Sequence, residues 1–185
     1  AVITAAGWGT RFLPATKAQP KEMLPLVDKP LIQYAVEEAL ASGIEQIIIV
    51  TAMGKRAIED HFDRSVELER VLERRGETQL LHEVQRLSNL CDICYTRQKE
   101  QLGLGHAVLT ASNLVGSEPF ALLLPDDIIQ AKVPVLKQMI SIYEEFGKTV
   151  IAVEKVARKE VHKYGIVKAT KERENLYKVL GLVEK

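Results

Sequence analysis

The chain has few of the features that mark secreted, nucleic-acid-binding or membrane proteins. Its 185 residues include two cysteines, Cys91 and Cys94, which fits a reducing, cytoplasmic setting better than a disulfide-stabilised secreted one. Lys and Arg together number 25, and so do Asp and Glu. The chain therefore lacks the net positive charge that would predict a nucleic-acid partner. No apolar run approaches the ~20 residues that span a bilayer, and no signal peptide is visible. We therefore expect a cytoplasmic protein with neither a membrane nor a nucleic acid as its partner.

The two cysteines do not predict a metal or redox site. Their C-x-x-C spacing is that of a redox motif or of half a zinc site, but the segment continues through Tyr95 and Thr96 as a strand. Side chains three positions apart on a strand point to opposite faces, so the two thiols could not share a ligand. The sequence has no second cysteine pair to complete a zinc site, and we interpret both cysteines as ordinary strand residues.

The residues that are present form the pattern of an α/β domain. A hydrophobic content of 46% over 185 residues allows one compact domain with a sizeable core. Residues 1–3 are apolar and predict a strand, residues 32–40 carry apolar side chains at helical spacing, and Gly43 follows as a C-terminal cap. The β-branched run at 47–50 predicts a parallel strand covered on both faces. Strand, loop, helix and strand in this order form the unit of an α/β sheet.

The remainder of the chain continues this alternation. Residues 54–88 are helical in character, and their many charges of both signs mostly predict a solvated surface. Two histidines in that segment, His61 and His82, have no companion at metal-ligand spacing and are interpreted as surface or partly packed residues. Further strands are predicted at 91–96, 120–124, 149–153, 164–167 and 179–185, and further helices from a second glycine loop to about Asn113 and over 135–143, closing near Gly147.

A glycine-rich loop follows the first strand. Gly7 and Gly9 carry no Cβ, so backbone N–H groups there can approach a phosphate, and the cations Arg11 and Lys21 lie in the same loop. Phe12 stands where a dinucleotide-binding fingerprint needs its third glycine, and the Gly-Lys-Ser/Thr of a Walker motif is missing. Three prolines forbid a helix directly after the glycines. We predict a long, proline-stiffened loop that lies over a nucleotide, with a purely structural glycine turn as the alternative.

The second glycine-rich loop spans residues 97–108. It follows the strand predicted at 91–96, so it lies at the carboxyl edge of the sheet, where open α/β folds bind ligands. Gln98 has an amide that can both donate and accept, as recognition of a pyrimidine edge requires. Gly103 can bring a backbone group up to the base. The alternative for Gln98 is a solvent-exposed loop amide.

Two carboxylates, Asp126 and Asp127, follow the strand predicted at 120–124. Beside a triphosphate they would require a cation, and Mg²⁺ typically takes one or two protein carboxylates together with phosphate oxygens. The alternative is a simple helix cap, which Ile128 and Ile129 make unconvincing because they do not suit an immediate helix start. The pair therefore predicts a Mg²⁺ site at this edge of the sheet.

Residues 9–17 and 20–25 carry a resemblance to a known family. Their sequences, Gly-Thr-Arg-Phe-Leu-Pro-Ala-Thr-Lys and Pro-Lys-Glu-Met-Leu-Pro, resemble the signature of sugar-1-phosphate nucleotidylyltransferases, in particular the UTP–glucose-1-phosphate uridylyltransferase branch. The resemblance implies the nucleotide-diphospho-sugar transferase fold, a Rossmann-like, mixed and mostly parallel sheet flanked by helices. It also implies that residues 1–185 form a single nucleotidyltransferase domain. We expect the C-terminal part of this domain to be missing and its N-terminus to be trimmed. Thr4 and Trp8 depart from the residues common in relatives.

The resemblance also implies a reaction, in which UTP and glucose 1-phosphate give UDP-glucose and pyrophosphate. The sugar phosphate attacks the α-phosphorus in line, and it needs no catalytic triad because its second pKa of ~6 makes it mostly a dianion at neutral pH. The family binds Mg²⁺ with the aspartate that matches Asp126, and Tyr164 supports the sugar. The remaining implied roles are phosphate neutralisation by Arg11, Lys21 and Lys185, nucleotide binding by Ala6, Gly7, Gly9, Thr10, Glu22, Gln98 and Gly103, and sugar binding by Gly165 and Glu184.

The resemblance also implies a homo-oligomer, either a dimer or a tetramer. Two other functions stay open. The nearer alternative is a sister enzyme that uses dTTP or another sugar, although the sequence of residues 20–25 favours the UTP branch. The more distant one is a non-catalytic nucleotide-binding or regulatory module. Loss of Arg11, Lys21 or Asp126 would have pointed to such a module, and all three are intact.

Overall fold

A computed structural model describes residues 1–184 of the chain. Its contacts form two compact units, one from Ala1 to Lys148 and one from Thr149 onward. None of the helices among the described residues is both long and apolar enough to cross a bilayer. The strands of the first unit are β1 (Val2–Thr4), β2 (Pro25–Leu26), β3 (Lys29–Pro30), β4 (Gln46–Thr51), β5 (Asp92–Arg97) and β6 (Leu122–Leu123), and its helices are α1 (Leu31–Ala41), α2 (Arg56–Phe62), α3 (Val66–Arg75), α4 (Thr78–Ser88), α5 (Leu104–Thr110), α6 (Ser112–Val115) and α7 (Val135–Phe146).

The first unit is built on a parallel four-stranded sheet in the order β5-β4-β1-β6. Ile3 of β1 lies opposite Ile49 of β4, and both are completely buried. Ile47 and Ile58 join them in the same core cluster. A run of β-branched residues suits these strands because helices cover both faces of a parallel sheet. The predicted strands at 1–3 and 47–50 and the mostly parallel, helix-flanked fold are confirmed.

Helix α1 has the core face that its sequence predicts. Ile32, Val36 and Ala39 are all fully buried against the sheet. The helix ends at Ala41, and Gly43 follows with a φ of +90° that favours glycine and an N–H that donates to the carbonyl of Leu40 at 3.0 Å. The next N–H, that of Ile44, donates back to the Ala39 carbonyl at 3.1 Å, so the last turn is closed by its own cap.

The segment between β1 and α1 contains three short 3-10 turns and no longer helix. The turns span Thr10–Phe12, Ala15–Lys17 and Lys21–Met23, and the small hairpin of β2 and β3 follows them. The prolines act as predicted, since no helix longer than a 3-10 turn forms directly after the glycines. The individual turns and the hairpin were not predicted from the sequence.

The charged segment 54–88 forms three helices, α2 to α4, and most of its charges are solvated as predicted. Lys55 and Glu69 are exceptions, since the two residues are only 7% and 6% exposed. Each has a partner that compensates its charge: Lys55 binds Glu22 at 2.7 Å, and Glu69 accepts from Arg64 at 2.8 Å. A charge pattern reports the average environment of a helical segment and cannot single out the members that turn inward.

The buried strand predicted at 120–124 is shorter and more exposed than expected. Only Leu122 and Leu123 pair with a neighbour, β1, so β6 is an edge strand. Phe120 is 47% exposed and Leu122 is 42% exposed. An edge strand has one hydrogen-bonded neighbour, and an apolar run alone does not distinguish this position from a central one.

The second unit contains an antiparallel hairpin of β7 (Ile166–Arg173) and β8 (Leu176–Val183). Asn175 takes a φ of +57° at the turn, and a 3-10 segment spans Arg158–Lys163 before the hairpin. The prediction of two strands joined by a charged turn is confirmed. The strand predicted over 149–153 is wrong, since no strand is assigned in that stretch of the described chain. β-Branched residues suit a strand, but a strand also needs a hydrogen-bonding neighbour.

Candidate functional site

The glycine-rich loop after β1 forms the wall of an open cavity of about 290 Å³. Residues 7–12 and Lys21 line the cavity. Ala6, which leads from β1 into the loop, is 3% exposed, whereas Trp8 projects outward and is 71% exposed. The predicted nucleotide-binding residues Gly7, Gly9 and Thr10 therefore meet around one concave surface, with two cations beside them.

Gly9 lies where the loop folds back against itself. Its φ is +68°, and a Cβ there would lie 3.1 Å from the Cβ of Lys21 and 3.2 Å from Cγ2 of Thr16. The Thr16 hydroxyl donates to the Gly9 carbonyl at 2.8 Å and fixes the fold-back. Glycine is required at this position both by the backbone conformation and by the close approach of Lys21.

The structure brings Lys21 and Asp126, which lie 105 residues apart, into direct contact. Nζ of Lys21 donates to Oδ2 of Asp126 at 2.8 Å. Arg11 stands farther off, with its guanidinium 3.9 Å from the same oxygen. The Lys21 side chain is 16% exposed and that of Arg11 is 81% exposed, so one cation is held in place and the other is free to reach a ligand. Three residues predicted to handle phosphate and metal therefore form one cluster.

The environment of this cluster shifts the pKa values of its two carboxyls in opposite directions. Partial burial raises the pKa of Asp126, but the hydrogen bond and charge of Lys21, with help from Arg11, outweigh burial and leave the pKa below its usual value. Burial and then the neighbouring Asp126 charge raise the pKa of Asp127, and the two cations only partly oppose that shift. Asp126 is accordingly the more acidic of the two carboxyls.

The donor set around Asp126 suits a cation that shares its coordination with a substrate. No group of three or more His, Cys, Asp or Glu side chains that could hold a metal occurs in the part of the chain that the structure describes. Mg²⁺ does not need such a group, because it commonly uses one or two carboxylates and completes its shell with phosphate oxygens and water. One ionised carboxylate beside a phosphate-sized cavity fits that pattern.

Glu22 is placed differently from a residue that touches a ligand. Its side chain is 1% exposed, and Oε2 accepts a hydrogen bond from Lys55 at 2.7 Å. The other oxygen, Oε1, is buried without a partner among the described residues. Sequence reasoning assigned Lys55 to the solvated surface. Its position in the loop after β4, at the same sheet edge as the two glycine loops, is the signal that could have identified it.

The second glycine-rich loop is held by Gln98, which is 3% exposed, so the alternative of a solvent-exposed amide is wrong. Its backbone N–H donates to the carbonyl of Thr51 at 2.8 Å and joins the loop to the end of β4. Its side-chain Nε2 lies 3.2 Å from the carbonyl oxygen of Gly103 and 2.8 Å from Nδ1 of His106. Sequence reasoning missed His106, although the histidine lies one helical turn beyond Gly103.

Two of the predicted sugar-binding residues lie together in the second unit. Gly165 precedes β7 and Glu184 follows β8, next to the paired residues Ile166 and Val183. A Cβ on Gly165 would lie 3.3 Å from Oε2 of Glu184, so a side chain there would crowd the carboxylate. Lys185, predicted to bind the sugar phosphate, lies outside the described residues.

Of the two cysteines interpreted as strand residues, Cys94 lies in a strand and Cys91 does not. Cys91 precedes β5 and is partly buried, while Cys94 lies within β5 and is exposed. Both thiols are free. They contribute nothing to the cluster around the cavity.

Comparisons with known proteins find relatives that match the whole chain. The chain is 58% identical over its whole length to a UTP–glucose-1-phosphate uridylyltransferase of Bacillus subtilis and 58% identical to one of Staphylococcus saprophyticus. It spans 63% and 64% of the length of these curated relatives. A UTP-bound UGPase from Acinetobacter baumannii has a similar structure, with a TM-score of 0.94 and 44% identity over all of this chain and 66% of that one. A UDP-glucose pyrophosphorylase complexed with UDP-glucose matches with a TM-score of 0.86 and 47% identity, again over all of this chain and over 67% of that one.

A family model also matches the whole chain. The model for nucleotidyl transferases covers residues 1–185. A model that matches the whole chain, together with relatives of such high identity, is decisive for family membership. The chain belongs to the nucleotidyl transferase family.

Proposed function

We propose that the protein transfers a uridylyl group from UTP to glucose 1-phosphate, giving UDP-glucose and pyrophosphate. The observation that carries the proposal is the contact of Lys21 with Asp126 beside the glycine-lined cavity. This arrangement offers backbone N–H groups, two cations and an ionised carboxylate to one triphosphate. The names of the relatives that are 58% identical, and the UTP and UDP-glucose in the related structures, support the choice of substrates.

The cluster has the charges that the reaction requires. Both substrates are anions, so the main barrier to their meeting is electrostatic, and fixed positive groups reduce it without a reorganisation step. In this proposal Lys21 exchanges its bond to Asp126 for a phosphate oxygen when UTP binds. Arg11, whose exposed side chain lies near the same carboxylate oxygen, closes on the triphosphate as well.

Asp126 would hold Mg²⁺, which when bound supplies positive charge to the phosphate oxygens that gain negative charge. The lowered pKa of Asp126 supports this role, because the hydrogen bond and charge of Lys21 favour the ionised carboxylate that binds a cation. The chain's own contribution is to keep that carboxylate between Lys21 and Arg11.

The nucleoside would lie across the carboxyl ends of β1 and β4. Ala6, Gly7, Gly9 and Thr10 would contact the nucleotide from the first loop, and Gln98 and Gly103 would read the base. Glu22 acts from beneath the surface, because its buried bond to Lys55 anchors the 3-10 turn that carries Lys21.

The sugar phosphate is the nucleophile of the proposed reaction. Its oxygen attacks the α-phosphorus in line, the bond from that phosphorus to the β-phosphate oxygen breaks, and pyrophosphate leaves with the bonding electrons. Gly165 and Glu184 would bind the sugar, and Lys185 would neutralise its phosphate. We propose in addition a cytoplasmic, homo-oligomeric enzyme with no nucleic-acid or membrane partner.

A panel of substrate pairs tests the proposed function. Pyrophosphate release by the full-length protein is measured with UTP, dTTP, CTP and ATP, each with glucose 1-phosphate, galactose 1-phosphate or mannose 1-phosphate. We expect UTP with glucose 1-phosphate to give the highest kcat/KM. A preference for dTTP would replace the proposal by the sister enzyme, and no turnover with any pair would favour a non-catalytic nucleotide-binding module.

A further inference from the structure

The side-chain amide of Gln98 is held in one orientation. Its Nε2 lies 3.2 Å from the carbonyl oxygen of Gly103, and a carbonyl oxygen only accepts hydrogen bonds. The nitrogen end of the amide must therefore face Gly103. This contact removes the usual ambiguity between the oxygen and nitrogen of a glutamine side chain.

The same argument determines the state of His106. Nδ1 of His106 lies 2.8 Å from Nε2 of Gln98, and Nε2 is a donor. Nδ1 must accept in this contact, so the tautomer that fits it carries the ring proton on Nε2 of His106. Both N–H bonds of the Gln98 amide are thereby used, one by a backbone carbonyl and one by an imidazole.

The oxygen of the amide is left as the group available to a ligand. Among the described residues no donor reaches Oε1 of Gln98, and the fully buried polar side-chain atoms without a partner are Oε1 of Glu22 and the hydroxyl of Tyr95. Oε1 of Gln98 is not one of them, so this oxygen is not fully enclosed although the residue is 3% exposed. The residue therefore keeps an unused acceptor and has no free donor.

We propose that His106 is a positioning residue that sets base specificity through Gln98. The Gly103 carbonyl takes one N–H of Nε2 and His106 takes the other, so the two together keep Oε1 as the acceptor for the N3–H of uracil. Cytosine has an acceptor at N3, so the same oxygen would face a lone pair and the base would be disfavoured. The inference rests on the proposed use of a uridine nucleotide and adds the reason why this site accepts an imide base and rejects an amino pyrimidine.

The test compares two substitutions of His106 in the full-length protein. His106→Asn keeps an acceptor near the position of Nδ1, whereas His106→Leu has a similar bulk and no acceptor. UTP and CTP binding is measured directly by calorimetry, and kcat and KM are measured for UTP and for glucose 1-phosphate. We expect His106→Leu to lower the preference for UTP over CTP about tenfold, with the KM for glucose 1-phosphate unchanged and His106→Asn close to wild type.

A second pair of variants separates positioning from a general structural effect. In a Gln98→Ala background, His106→Leu should cause no further loss of preference, because the residue through which it acts is absent. Equal effects of His106→Leu with and without Gln98, an unchanged UTP-to-CTP ratio, or equal losses in His106→Asn and His106→Leu would overturn the proposal. Wild-type protein that binds UTP selectively but produces no UDP-glucose would refute the proposed function alone, since the binding ratios still test His106.

Discussion

At the scale of single residues, the two glycines of the first loop have different reasons to be glycine. Gly9 combines a φ of +68° with neighbours 3.1 and 3.2 Å from the position that a Cβ would take, whereas a Cβ on Gly7 would meet nothing within 4 Å. The sequence predicts both as phosphate-approaching residues because neither has a side chain. Only the structure shows that Gly9 is needed by the loop itself, whereas Gly7 has room for a Cβ, so we expect Gly7 to matter for ligand binding alone.

A matched pair of alanine substitutions tests this difference. Gly9→Ala should destabilise the protein by about 1–2 kcal/mol, because an L-residue is strained in the left-handed region and Lys21 must move aside. Gly7→Ala should leave the unfolding midpoint unchanged but weaken UTP binding at least tenfold, since the methyl would project into the cavity. Urea denaturation and calorimetric titration with UTP check the pair. A stable Gly9→Ala protein would contradict the first expectation, and unchanged UTP affinity in Gly7→Ala the second.

The ionised forms of the two adjacent aspartates should affect the stability of the fold in opposite directions. The pKa of Asp126 is lower in the folded protein than in the unfolded chain, so the unfolded state binds more protons and the carboxylate stabilises the fold above its unfolded pKa. This stabilisation is lost as the pH falls through the folded pKa. The pKa of Asp127 is raised, so its ionised form opposes folding above its folded pKa, and that cost disappears at lower pH.

Asp126→Asn should therefore lower the unfolding midpoint at about pH 7, while Asp127→Asn should leave it unchanged or raise it slightly. As the pH falls below about 4, the midpoints of both variants should move toward that of the wild type. For Asp126 the difference should disappear only once the pH has passed its lowered folded pKa. Thermal unfolding over this pH range is the measurement. The same sign for both variants at neutral pH would show that the cluster does not separate the two carboxyls.

At the scale of elements, the ion pair of Glu22 and Lys55 joins the loop after β1 to the loop after β4. The Lys55 side chain is 9% exposed and that of Glu22 is 1% exposed, so neither charge is well solvated. Removing one partner of a buried pair leaves the other uncompensated, which is more costly than removing both. The pair therefore fixes the 3-10 turn of Lys21 at the sheet edge.

Lys55→Met should destabilise the protein by ~3 kcal/mol or more, and adding Glu22→Gln should recover much of that loss. The control is the next residue, Arg56, which pairs with Asp60 on the surface with side chains 86% and 59% exposed. Arg56→Met should change stability by less than about 1 kcal/mol. The measurement is urea denaturation of the wild type, Lys55→Met, the double variant with Glu22→Gln, and Arg56→Met. Equal effects at positions 55 and 56 would contradict an anchoring role for the buried pair.

The elements also show where prediction from the sequence succeeds. Helix α1 and strand β4 were predicted correctly because their apolar patterns extend over whole elements that lie against the core. The 149–153 strand was wrong because Ile151 and Val153 are β-branched yet have no strand beside them in the described chain, and both are exposed. Strand formation depends on a neighbour that local sequence does not encode.

At the scale of the whole molecule, the site depends on chain segments that are far apart in sequence. Asp126 meets Lys21 because parallel strands β1 and β6 are neighbours, so the loops that follow them emerge at the same edge. The resemblance predicted these residues individually. Their distances, the burial of Glu22 and the contact of Gln98 with His106 could not be predicted, because they depend on how side chains pack after the sheet has formed.

The proposed chemistry depends most directly on one measurement, the rate of pyrophosphate release from UTP and glucose 1-phosphate by the full-length protein. It is made for the wild type, for Lys21→Ala and for the control Lys29→Ala, whose Nζ binds Glu37 at 2.9 Å instead of the cavity cluster. The wild type should release pyrophosphate only with both substrates present. Lys21→Ala should slow release by roughly 10²–10³-fold, the usual cost of losing one preorganised charge-stabilising group, and Lys29→Ala should stay near wild type. Release without glucose 1-phosphate, or a Lys21→Ala rate equal to that of the wild type, would contradict the account.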